Sequence, residues 1–286
     1  MVEVGGGLRT YTVGGSEVLD GYSLEEMCSS GRGQILVPWP NRLRDGRYEW
    51  RGEQLQLPLT EPDRRNAIHG LVRWANWTLA EHEEDRATME YVLHPSDGYP
   101  FALALQLQYT LDDDGLTVTT RATNAGSEPC PFGAGAHPYI TAGTEKIDEC
   151  NLAAPGARWM PTDARMIPTG TQAVDGTEYD FREPRPLGRT QLDTGYAELE
   201  RDPQGRAKVT LENPSGGRRV ALWADENFPY LMLFTGDALP EEERRRKGLG
   251  VEPMTCAPNA LESGDGLLTL EPGQSFSGSW GISANS

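Results

Sequence analysis

The chain has 286 residues, 37% of them hydrophobic, and its 43 Asp and Glu against 26 Lys and Arg leave a net charge of −17. Nucleic-acid affinity comes largely from Lys and Arg releasing counterions, so this balance excludes nucleic acid and an anionic membrane as partners. The 33 glycines and 21 prolines are spread along the whole chain, which argues against disorder and for many short strands separated by turns.

The opening stretch, Met1 to Gly15, has no basic region followed by an apolar core. No apolar run approaches the roughly 20 residues that span a bilayer, so a cytoplasmic location is expected. The segment Thr60 to Arg65 reads as a loop at the edge of a binding face. Strict apolar/polar alternation predicts strands over Phe101 to Leu111 and Leu116 to Asn124, turned by Asp112-Asp113-Asp114-Gly115. Gly143 to Cys150 is a second edge loop.

Four further strands are predicted over Ala197 to Arg201, Lys208 to Asn213, Arg218 to Ala224 and Tyr230 to Thr235, in an antiparallel meander. Pro240 to Lys247 reads as a short helix, because its acidic residues precede its basic ones in the order that a helix dipole favours. Gly266 to Leu270 and Ser275 to Ile282, around Glu271-Pro272-Gly273, predict a closing hairpin. No composition shift or internal repeat divides the sequence, so residues 1–286 are read as a single domain.

Cys28, Cys130, Cys150 and Cys256 lie far apart without a CxxC or Cys/His cluster, which predicts free thiols and no zinc site. Of the four histidines, His82 and His94 sit in ordinary acidic and turn surroundings. His69 and His137 are flanked instead by small residues that let a backbone or ligand approach closely. Glu252 is a lone acid in the apolar, proline-punctuated run Gly248 to Ala260. Burial there raises a carboxylate pKa and makes it a candidate general base.

Taken in order, Pro38-Trp39-Pro40-Asn41-Arg42, Gly46-x-Tyr48 with Gly52, His69-Gly70, His137-Pro138-Tyr139, Leu192-Asp193-Thr194-Gly195-Tyr196 and Val251-Glu252-Pro253 resemble the motifs of the aldose 1-epimerase (galactose mutarotase) family along most of the chain. The resemblance implies an all-β fold, a large antiparallel β-sandwich or supersandwich with few short helices, binding sugar in an open cleft across one sheet. It implies Glu252 as general base and His137 as general acid, with Arg42, His69 and Asp193 as substrate-binding residues. The implied reaction interconverts the α and β anomers of an aldohexose, as a monomer or homodimer, with no cofactor and no metal.

The chemistry fits these residue types. Opening a cyclic hemiacetal removes the proton of the anomeric hydroxyl and gives one to the ring oxygen, so an opposed carboxylate and near-neutral imidazole suffice. Arg42 is expected to fork across two sugar oxygens, and Trp39, Trp74, Trp77, Tyr139 and Phe228 are candidates for an apolar floor. Three alternatives stay open: a non-catalytic carbohydrate-binding protein; a metalloenzyme using His69, His137, Asp193 and Glu252; and an epimerase of an anionic hexose, a sugar phosphate or sulfonated sugar, met by Arg42, Arg64, Arg65 and Arg73.

Overall fold

The computed structural model describes residues 1–285. Two large antiparallel sheets share one apolar core, as the sequence resemblance implies. One sheet has nine strands, with Ser275–Ala284, Gly115–Asn124 and Leu103–Asp112 near its middle. The other has Gln172–Ala173, Gly156–Met160, Asp193–Leu199, Tyr230–Phe234, Leu249–Met254, Gly135–Ala136 and Ile35–Leu36 in that order, with Tyr139–Ile140 also paired to Leu249–Met254. Leu105, Leu107, Val118, Leu222 and Trp280 of the first sheet meet Tyr196, Leu231, Leu233 and Val251 of the second.

The period of two then decides which face carries chemistry. Val251 and Leu233 point into the core, so Glu252 and its cross-strand neighbour Met232 point the other way. Asp193 pairs with Phe234, and Phe234 with Gly250, which places these residues one step along the same outward face. Every residue of Leu249–Met254 is nevertheless buried, because loops cover this face and leave it as the floor of a cleft.

The predicted hairpin at Asp112 to Gly115 is present, with Asp112 opposite Gly115 and a ladder running to Leu103 opposite Asn124. The predicted meander is not. Asp193–Leu199 pairs with Tyr230–Phe234, and the two strands between them, Ala207–Glu212 and Arg219–Ala224, form a hairpin in the opposite sheet. Alternation marks a strand as half-buried and says nothing of its partner. The closing hairpin is also absent as such: Leu268–Leu270 pairs with Cys130–Phe132, and Ser275–Ala284 lies between Gly115–Asn124 and Arg219–Ala224.

Pro240 to Lys247 holds a single 3-10 turn, Glu242–Arg244, and the one α-helix among the described residues is Ala260–Ser263. Backbone hydrogen bonding ends the turn, and Arg246 enters the left-handed region at φ 59°, where a helix cannot continue. All four cysteines are buried free thiols.

Candidate active site

A two-stranded ribbon, Arg42–Arg44 paired with Asn66–Ile68, stands over the cleft face. It brings the two ends of one loop together. Asn41 has φ 56° and His69 φ 63°, and the two residues lock each other: His69 N–H donates to the Asn41 carbonyl at 2.9 Å, while Asn41 N–H donates to His69 Nδ1 at 3.2 Å. Left-handed backbone at His69 is held in place by this reciprocal pair of hydrogen bonds, which fixes its ring beside the other titratable groups of the cleft. Gly70 follows at φ 71°, where an added Cβ would sit 2.1 Å from the Val37 carbonyl oxygen, so this crossing admits only glycine.

The hydrogen bond from Asn41 fixes the tautomer of His69. With Nδ1 accepting, the ring proton resides on Nε2, and burial, followed by the nearby charges of His137, Arg73 and Arg42, holds the imidazole well below its usual range. His69 is therefore a neutral Nε2–H donor. Its ring meets that of His137 edge-on, with centroids 5.3 Å apart.

His137 enters from the segment between Gly135–Ala136 and Tyr139–Ile140, its main chain bonded to Gln34 and Gly33. Its ring stacks on Tyr139 at 4.9 Å, and its Nε2 lies 3.3 Å from Oε1 of Glu252. Both residues are almost fully buried, and His137 Nδ1 and Glu252 Oε2 find no hydrogen-bond partner among the described residues. Buried polar atoms are seldom left orphaned, and here two of them belong to the facing acid and imidazole of one pair.

Burial pushes the Glu252 carboxyl well above the usual carboxylate range, with Asp193 adding to the rise and Arg42 opposing it. Burial also takes the His137 imidazole down to about 3, with Arg32, Arg73 and Arg42 contributing. The imidazole titrating near neutrality that the sequence suggested is thus not what the fold presents. Imidazolium with carboxylate and imidazole with carboxylic acid hold the same number of protons, however. The pair carries one exchangeable proton, and desolvation favours the uncharged arrangement.

Arg42 and Asp193 meet at this centre, with Nη2 3.6 Å from the Asp193 carboxylate. The Arg42 fork is not free to clasp two sugar oxygens, because Glu61 takes its Nε and Nη2 at 3.0 and 3.1 Å. Glu61 is the residue that the sequence reading missed. A buried guanidinium demands an anion, and the acid nearest a turn signal in the edge loop Thr60 to Arg65 was the place to look.

Of the proposed aromatic floor, Tyr139 stacks on His137, whereas Trp39, Trp77 and Phe228 belong to the core and Trp74 is 52% exposed. Phe234, edge-on to His137 at 6.5 Å, takes part instead.

His69, His137 and Glu252 place donor atoms within 4.8 Å of one another, a set that a divalent transition metal takes. The tautomer does not fit. A ligating histidine donates its other ring N–H to an acceptor, and His69 Nδ1 accepts one instead. A surface concavity of about 1090 Å³ on the nine-stranded sheet has Glu90 bonded to Gln106 and no opposed acid and base.

One backbone contact holds the His137 ring. A Cβ on Gly31, at φ 73°, would lie 2.9 Å from His137 Cδ2. Gly31→Ala is expected to lower turnover roughly 100-fold by displacing the imidazole, since a misplacement near 1 Å costs about that much. Polarimetry beside a melting curve checks it; an unchanged rate would release Gly31 from that role.

Comparisons with known proteins identify the family. The chain is 34% identical to the protein YihR of Escherichia coli (strain K12) over 96% of its own length and 86% of that protein's. It is 31% identical to the galactose mutarotase of Rattus norvegicus, covering 76% of this chain and 65% of the relative. Among solved structures, the GalM/aldose epimerase homologue from C. elegans superposes with TM-score 0.87 at 17% identity, covering 99% of this chain and 94% of that one. The galactose 1-epimerase from Lactobacillus acidophilus NCFM gives 0.82 at 22% identity, over 99% and 89%. The sequence model of aldose 1-epimerase matches residues 1–283, and the chain belongs to that family of isomerases.

Proposed function

We propose that the chain interconverts the α and β anomers of a neutral aldohexose such as glucose or galactose, with Glu252 and His137 as its proton-transfer pair. Arg42, His69 and Asp193 hold the sugar. The observation that carries this reading is the 3.3 Å opposition of His137 Nε2 and Glu252 Oε1 on a cleft floor with two unpartnered polar atoms. The 31% identity to a galactose mutarotase supports the choice of sugar. The whole chain works as one domain, in the cytoplasm, as a monomer or homodimer, without a cofactor.

In the ring-opening step the Glu252 carboxylate takes the proton of the anomeric hydroxyl, the bond from C1 to the ring oxygen breaks, and His137 gives that oxygen a proton. Rotation about C1–C2 presents the other face of the aldehyde. The same two groups then run the steps in reverse, so acid and base exchange roles each half-cycle. Entry to the cycle needs the shared proton to cross from Glu252 to His137, and the polar sugar offsets the desolvation that disfavours the charged arrangement. His69, locked as an Nε2–H donor, supplies a hydrogen bond and does not relay protons.

One observation favours an anionic hexose as a second reading. Arg32 is paired with Asp20 and Arg42 with Glu61, whereas the half-buried Arg73 guanidinium makes no ion pair among the described residues. Burial lowers its pKa, and it lies close enough to depress both His69 and His137. A substrate phosphate, sulfonate or carboxylate would supply its counter-charge.

Exchange kinetics on freshly dissolved α-glucose, α-galactose, glucose 6-phosphate and a sulfonated hexose decide between these. Neutral sugars are expected to be turned over at equal rates by the native protein and Arg73→Gln. An anionic sugar favoured at least tenfold, and lost in Arg73→Gln, would move the assignment to the second reading. Decay of every sugar at its spontaneous rate would leave a sugar-binding protein.

A further inference from the structure

We propose that Glu61 is a positioning residue for the reaction, acting on Glu252 through Arg42: it holds the guanidinium in one orientation and takes up the charge that would otherwise fall on the catalytic carboxyl. The inference rests on the assignment of Glu252 and Arg42 above. It stands on geometry. The Glu61 carboxylate accepts Arg42 Nε at 3.0 Å and Nη2 at 3.1 Å, a parallel pair that fixes the plane of the fork.

Two further donors, Asn66 Nδ2 at 2.8 Å and Arg64 Nη1 at 3.0 Å, hold the carboxylate in place. The loop that presents it is itself tied off. Glu61 and Asn66 exchange backbone hydrogen bonds across the turn Pro62–Arg64, and Asn66, fully buried, also donates to the Arg165 carbonyl.

The groups around the catalytic carboxyl make the electrical consequence definite. Glu252 faces His137 from its neighbouring segment, Asp193 across the sheet and Arg42 from the ribbon. Arg42 faces Asp193 and Glu61. Asp193 by itself balances the Arg42 charge while Glu252 is protonated, and Glu61 adds a second carboxylate on the far side of the guanidinium, drawing its field away from the catalytic pair. Removing its charge exposes Glu252 and His137 to more of the guanidinium's field, which lowers the affinity of both for the shared proton.

The experiment compares Glu61→Gln with Glu61→Asp, taking kcat, KM and the full pH profile on the preferred sugar. Glu61→Gln is expected to raise KM about tenfold and to move both limbs of the profile toward acid by about half a pH unit. Glu61→Asp, which keeps the charge on a shorter stem, is expected to restore the profile while KM stays raised. Wild-type KM and profile in both variants would overturn the proposal. So would losses that track only the fraction of folded protein, with the profile unmoved. Should Glu61→Gln not fold, Glu61→Asp carries the test: a raised KM at unchanged Tm supports the role and a wild-type KM refutes it. A native protein without mutarotation would instead fail the functional assignment on which this rests.

Discussion

Glu252→Gln is expected to lower kcat by about 10²–10⁴-fold, the range that a well-placed proton-transfer group supplies. Glutamine keeps the shape and fills the same buried position, 2% exposed, but cannot take the anomeric proton. Stability should move the other way. The folded-state pKa is raised, so at neutral pH the fold must either hold a proton that the unfolded chain has released or bury a charge. The native protein therefore loses stability as pH rises above the unfolded carboxyl value of about 4.3. The variant escapes that cost. Melting curves at pH 7 should place Glu252→Gln at or above the native protein, with the difference fading near pH 4. Near-native turnover in this variant would remove Glu252 from the mechanism.

The second large effect is at His137. His137→Gln is expected to lose as much turnover as Glu252→Gln, and the double variant no more than either, because one proton passing between two groups makes them a single unit. Losses that multiply in the double variant would show two independent contributions. Acid behaviour separates the residues again. His137 is depressed to about 3 in the fold, so as pH falls below about 6.5 the unfolded chain gains a proton that the native state refuses. Replacing this residue should blunt acid denaturation between those two values.

The particular residues explain how much the sequence could disclose. Hairpin Asp112 to Gly115 was legible because both its turn chemistry and its alternation are local. The partner of Asp193–Leu199 was not, since the same alternation suits either sheet and the core shared by both sheets decides. Pro240 to Lys247 misled because its charge order suits a 3-10 turn as well as a helix. At the cleft, Arg42, His69, His137, Asp193 and Glu252 were read from motifs, and the structure brings all five together, Arg42 and His69 from the overlying ribbon and the others from the sheet below. Glu61 was hidden by its setting, since a glutamate in a charged loop looks solvated until the fold turns it inward beneath Arg42.

The excursion of the chain between Asp193–Leu199 and Tyr230–Phe234 has a consequence for biogenesis. After Asp193 is laid down, the polypeptide crosses to the other sheet, builds the hairpin Ala207–Glu212 with Arg219–Ala224, and returns before it reaches Glu252. That hairpin is itself flanked by Ser275–Ala284. Loop closures over such separations cost entropy before any contact repays it, which makes non-local β topologies slow to fold. A nascent chain stalled just past Glu252 would hold all five cleft residues and still lack Ser275–Ala284, the strand that joins Gly115–Asn124 to Arg219–Ala224 in the sheet behind the core.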